Sequence, residues 1–172
     1  MPGLDDAYDA AAEYLALCQQ ALATTPAGAL GRAYVSPGVP VWDCDQVTVH
    51  VGGPVIADTQ PTSPAMAPGL RITYVDVLNV VNLTATVLRC IPILDEEGAP
   101  PPAAELDAAA RVVDADLWAI WNHLRHYKAT GALFPPTQRE LFIDAAASIA
   151  AGGVGGWQIP IRVTLYGYDP EA

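Results

Sequence analysis

The sequence predicts an α+β fold, a mostly antiparallel sheet of about four strands packed against one long and one or two shorter helices. Three observations predict it. Leu106, Ala110, Val113, Leu117, Ile120, Leu124 and Tyr127 recur at spacings of four and three, the period of a single helical face. Near the C-terminus Ile159, Ile161, Val163 and Leu165 alternate with Arg162, Thr164, Tyr166 and Tyr168, the period of a strand with one buried side. Two more alternating stretches, 46–51 and 81–87, add strands in between. The 172 residues suit one domain, and a hydrophobic fraction of 52% supplies a core.

The elements follow in order. Residues 4–24 form an amphipathic helix through Leu4, Tyr8, Ala11, Leu15, Cys18 and Leu22, with Asp5, Asp6 and Asp9 near its N-terminus, where the helix dipole favours negative charge. Residues 26–45 read as loop, interrupted by Pro26, Pro37 and Pro40. In the strand 46–51, Val47, Val49 and Val51 share a face opposite Gln46, Thr48 and His50; Gly52-Gly53-Pro54 stops or bends it before 55–57 resumes. Residues 58–69 hold three prolines, with Met66 the one large apolar side chain, and read as a long hairpin tip. Residues 70–93 form one long strand or two with a bend; from Val81 onward Leu83, Ala85 and Val87 face inward and Asn82, Thr84 and Thr86 outward. The helix 103–130 ends on Arg125, Lys128 and Gly131, as a helix C-terminus prefers, and its length makes one end project or meet a partner. A short helix over 138–150 is expected from Leu141, Ala145 and Ile149, with Thr137 and Glu140 as a capping box. Gly152 to Gly156 then act as a hinge before the last strand.

Charge and motifs narrow the function. The net charge is −11, and the eight basic residues stand singly, so no basic patch exists to neutralise phosphates and tight nucleic-acid binding is not expected. Cys18, Cys44 and Cys90 have no C-x-x-C spacing and read as reduced, mostly buried thiols of a protein made in a cytoplasm. No apolar run is long enough to cross a bilayer. A Cys44–His50 pair can be sketched as thiol and imidazole, but a buried thiol and a surface histidine are the simpler reading. His123 and His126 have a chelating spacing without a third ligand. The glycine run lacks the lysine and following helix of a phosphate cradle. No catalytic residue, cofactor or metal is therefore expected.

What the residues do suggest is contact between macromolecules. The outward face of the last strand is polar yet aromatic, through Arg162, Tyr166 and Tyr168. Met66 sits in a tip that a neighbour could order. Trp42 and Trp157 start strands beside proline or glycine, and either locks the domain edge or anchors an interface. Trp118 reads as core, and Trp121 less strongly so.

Four stretches carry a family resemblance: Val41 to Val49 (VWDCDQVTV), Thr84 to Pro92 (TATVLRCIP), Pro101-Pro102 with Leu106 to Ala110 (LDAAA), and Gly156 to Leu165 (GWQIPIRVTL). In these the chain resembles head–tail junction proteins of long-tailed actinobacterial phages, the tail terminators. The resemblance implies a single terminator-like domain over 1–172 with the lambda-type small α/β fold. It implies a virion protein of the siphovirus type that forms a hexameric ring on the tail tube, ends tube polymerisation and faces the head connector or stopper. Its partners would be copies of itself, the major tail tube protein and that connector. Genomic DNA would pass the lumen without sequence-specific binding, and an acidic wall suits that passage. Two other readings stay open: another neck component, such as a stopper or adaptor, and a small α+β enzyme or ligand-binding module with a polar pocket.

Overall fold

The computed structural model describes residues 4–57, 78–130 and 141–165. In chain order the elements are α1 Leu4–Leu22, β1 Arg32–Ser36, β2 Gln46–Ala57, β3 Leu78–Cys90, α2 Ala103–Thr130, β4 Leu141–Ile143, β5 Ala147–Ala151 and β6 Val154–Leu165. The fold is α+β, with two helices on a mixed six-stranded sheet of order β1-β2-β3-β6-β4, β5 also pairing with β6. Strand pairs are antiparallel except β1 with β2.

Both helices form where periodicity predicts them, but their stripes are not buried throughout: Tyr8 of α1 and Leu106 and Ala110 at the start of α2 are exposed. The apolar stripe of α1 puts Ala10, Ala11, Tyr14, Leu17, Cys18, Ala21 and Leu22 wholly or almost wholly out of solvent. They meet Val47 and Val49 of β2, Leu83 and Ala85 of β3, and Ile159, Ile161 and Val163 of β6 in one core cluster. The Tyr14 hydroxyl reaches through this core and donates to the Ile159 carbonyl at 2.9 Å. From α2, Ile120 and Leu124 complete the cluster, with Leu117, Trp121 and Tyr127 packed at its margin.

The structure corrects five expectations. The stretch 32–36, read as loop, is the parallel edge strand β1; its short apolar piece Ala33-Tyr34-Val35 lacked the length to show a period. The expected helix over 138–150 is replaced, in its described part, by β4 and β5, both paired to the free edge of β6. A run of thirteen residues, even alanine-rich, is a marginal helix of its own, whereas that edge offers main-chain partners. The glycines are not a hinge. Gly152 and Gly153 have φ of 57° and 84° and form the two-residue turn between Ala151 and Val154, the geometry that left-handed backbone permits. Gly155 and Gly156 lie inside β6, where a Cβ on Gly156 would run into the Val87 carbonyl oxygen. Trp118, read as core, is 53% exposed, one position off the buried stripe. Finally, Cys44 and Cys90 are joined as a disulfide with Cα atoms 4.8 Å apart, while Cys18 alone is a free buried thiol.

Two strand details follow the sequence more closely. The Gly52-Gly53-Pro54 bend is a bulge, the register with β3 shifting between Val51 and Pro54. The described part of the long central strand, Leu78–Cys90, is continuous and lies between β2 and β6.

Candidate assembly surface

The end of the sheet where β2 begins and β3 and β6 meet is built around the Cys44–Cys90 bridge. Before Cys44, the connection from β1 to β2 must return the chain to the start of a parallel neighbour, and it does so in the nine residues 37–45. Gln46 ties this segment down, its Nε2 donating to the Val41 carbonyl at 2.7 Å. Asp43 accepts from Arg32 Nη1 at 2.7 Å and from the Cys44 amide at 2.8 Å. Asp45 turns the chain with a φ of 51°, a backbone state that aspartate tolerates. Beyond Cys90 the chain continues past the start of β6, the Ile91 amide donating to the Gly153 carbonyl at 2.9 Å. The next turn is closed by Asp95, whose carboxylate accepts from the Glu97 and Ala99 amides.

This scaffold leaves apolar side chains outside. Val41 is 81% exposed, Ile93 65%, Leu94 59% and Trp42 42%. All lie within four residues of a bridged cysteine, and Asp43, Asp45, Glu96 and Glu97 are exposed among them. The first turns of α2 continue the same character. Residues 103–108 are all exposed, Leu106 and Glu105 included, and Asp107 pairs with Arg111 along the helix surface.

The opposite end is different. Phe142 of β4 stands opposite Arg162 of β6 and is 40% exposed. Its ring has the Arg162 guanidinium 5.4 Å from its centroid on one approach and the Lys128 ammonium 5.9 Å away on another. Arg162 is clamped by two hydrogen bonds of 2.9 Å to the Asp144 carboxylate, which raise its pKa. Arg125 and Lys128 are exposed, and among the described residues neither has a salt bridge.

Between the two ends, Arg89 and Asp116 form a buried pair that fastens α2 to the sheet. Arg89 Nε donates to Asp116 Oδ2 at 2.8 Å, and Nη2 donates to Oδ1 at 3.2 Å and to the Gly28 carbonyl at 2.7 Å. Nothing in the spacing of Arg89 and Asp116 marks them as partners. The one sequence signal is an arginine on the inward side of an alternating strand, which demands an acid opposite.

The expected interface residues divide. Trp42 is exposed beside the bridge. Trp157 is half-buried, and its Nε1 donates to the Val113 carbonyl at 3.0 Å, so it locks β6 to α2. Arg162 is on the outward face as expected, but paired with Asp144. Met66, Tyr166 and Tyr168 lie outside the described residues. The Cys44–His50 pair is excluded by the Cys44–Cys90 bond. His123 Nδ1 lies 2.9 Å from the Ala119 carbonyl one turn back, and His126 sets its ring edge-on to Tyr127. Among the described residues no three His, Cys, Asp or Glu side chains gather where a metal could sit, and no helix is long and apolar enough to cross a membrane.

The outward face of the sheet is not simply wet. Gln46, Thr48 and Thr86 are fully buried there, and Gln46 Oε1, Thr48 Oγ1 and Thr86 Oγ1 have no hydrogen-bond partner. His50 Nδ1 is buried the same way, and burial lowers its pKa. Comparison with the known protein families and with curated proteins gives no match to this chain.

Proposed function

We propose that this chain is a structural subunit of a phage virion, a tail terminator that forms a ring on the end of the tail tube, stops its growth and joins the tail to the head connector. The observation that carries the reading is the disulfide-bridged end, where Val41, Trp42, Ile93 and Leu94, all within four residues of a bridged cysteine, are exposed. Apolar side chains grouped this way mark a contact surface rather than random exposure. A ring subunit also needs rigid attachment between its contact surfaces, and the buried Arg89–Asp116 pair and the Trp157–Val113 bond supply it. The acidic balance suits a wall past which DNA slides. The family resemblance of the four stretches supports the same role.

The test is a tube-growth assay. Purified chain added to polymerising tail tube protein should cap the tubes and fix their length, as seen by negative-stain imaging. Tubes that grow to the same length distribution with and without the chain would overturn the reading.

A further inference from the structure

We infer that successive copies of this chain dock head to tail, the acidic and apolar end at the Cys44–Cys90 bridge seating on the cationic and aromatic end formed by Arg125, Lys128 and Phe142. This rests on the ring reading above and names the contact that would build the ring. The occupant is set by charge complementarity within one chain. At one end Asp45, Glu96 and Glu97 are exposed around Trp42, Ile93 and Leu94, beside Asp43, which is paired with Arg32. At the other, Arg125 and Lys128 are exposed without an ion pair among the described residues, beside a 40%-exposed phenylalanine.

The two patches lie too far apart to satisfy each other. Arg162 pairs with Asn82, eight residues from Cys90 along β3, which is about 26 Å at ~3.3 Å per residue. Along α2, Glu105 and Lys128 are separated by about 35 Å at ~1.5 Å per residue. Among the described residues neither patch meets the other, and a second copy of the chain brings them together. The two surfaces are different, so the contact is heterologous, and repeated it generates a ring or a helical filament rather than a closed pair. An apolar centre with a charged rim is also the usual anatomy of such a contact, the rim setting register and the centre holding it.

The experiment uses the full chain and two charge-reversed variants. Glu96→Lys with Glu97→Lys spoils the acidic end and leaves the turn-closing Asp95 intact. Arg125→Glu with Lys128→Glu spoils the cationic end. Sedimentation velocity is run on each alone and on the equimolar mixture, up to millimolar concentration and at low and high salt, with circular dichroism melts to verify folding. The wild-type chain should associate, less so at high salt. Each variant alone should be at least tenfold weaker. Their mixture should associate again, because the intact head of one variant meets the intact tail of the other and the two reversed ends are complementary to each other as well. Recovery in the mixture also excludes misfolding as the cause. Variants that associate as well as wild type, a mixture that stays monomeric, or a wild-type chain that stays monomeric throughout would each overturn the contact. The tube-growth assay is independent: tubes still capped by either variant would leave the terminator reading standing while this contact falls.

Discussion

Thr48 and Thr86 face each other across β2 and β3, fully buried and with unpartnered hydroxyls. A buried hydroxyl without a partner costs about 1–3 kcal/mol. Replacing both with valine should therefore raise stability by roughly 1 kcal/mol or more, read as a higher urea midpoint at unchanged slope. A lower midpoint would reveal a partner for those hydroxyls. A second residue-scale effect lies in α1. Burial pushes the Tyr14 hydroxyl pKa well up, with nearby Cys18 adding to the shift, and burial raises the Cys18 thiol as well. Both groups are held neutral in the folded core but ionise freely when unfolded. Their stabilisation is fully present below about pH 8–9 and is lost as pH climbs past the unfolded values of the thiol and then the phenol, near 8.5 and 10. Urea midpoints should fall from pH 8 to pH 10.5, and Cys18→Ala should make that fall shallower. Periodicity made the position of Cys18 legible, since it lies on the predicted helical stripe, whereas Tyr14, one residue off that stripe beside Leu15, was not read as core. It misread Thr48 and Thr86, because alternation tells which side of a strand a residue faces and not whether something covers that side.

At the scale of elements, the long helix and the sheet are joined by few but specific groups. Asp116→Ala would leave the Arg89 guanidinium, 9% exposed, without its carboxylate, and should lower stability by about 3–5 kcal/mol in denaturant titration. Replacing both with apolar residues of similar volume should recover most of that loss. Within β6, Gly156→Ala forces a methyl group against the Val87 carbonyl and should lower the melting temperature by many degrees. Gly31→Ala, with nothing within 4 Å of its Cβ position, should change it little. These glycines show why element type was only partly legible. Gly-Gly between Ala151 and Val154 is a hairpin signal, yet the alanines before it favour a helix by local propensity. The choice was made by the unpaired edge of β6, a partner that no local window contains.

At the scale of the whole molecule, the C-terminal strand lies inside the sheet, between β3 on one side and β4 and β5 on the other. It contributes Ile159, Ile161 and Val163 at 0% exposure. A chain ending at Gly152 should therefore fail to fold cooperatively, with circular dichroism showing no thermal transition, because β3 loses one of its two partners and the core loses one wall. The same topology explains what could be read of the assembly surface. Trp42 was legible as either an edge lock or an interface anchor, and the length of α2 showed that one end projects or meets a partner, but not which end. The grouping of Trp42 with Ile93 and Leu94, and of Phe142 with Lys128 and Arg162, was not. It joins residues some fifty apart along the chain at one end, and brings together three separate elements at the other.

By itself the sequence determined the two long helices, the inward apolar residues of three strands and the acidic character, because each is a property of spacing or composition within a short window. Only the tertiary structure decided the sheet order, the conversion of an alanine-rich segment into edge strands, the Cys44–Cys90 and Arg89–Asp116 pairings, and the polarity of the two ends. Each of these depends on which distant groups become neighbours when the strands close, and the free energy of that closure outweighs local preference wherever the two disagree.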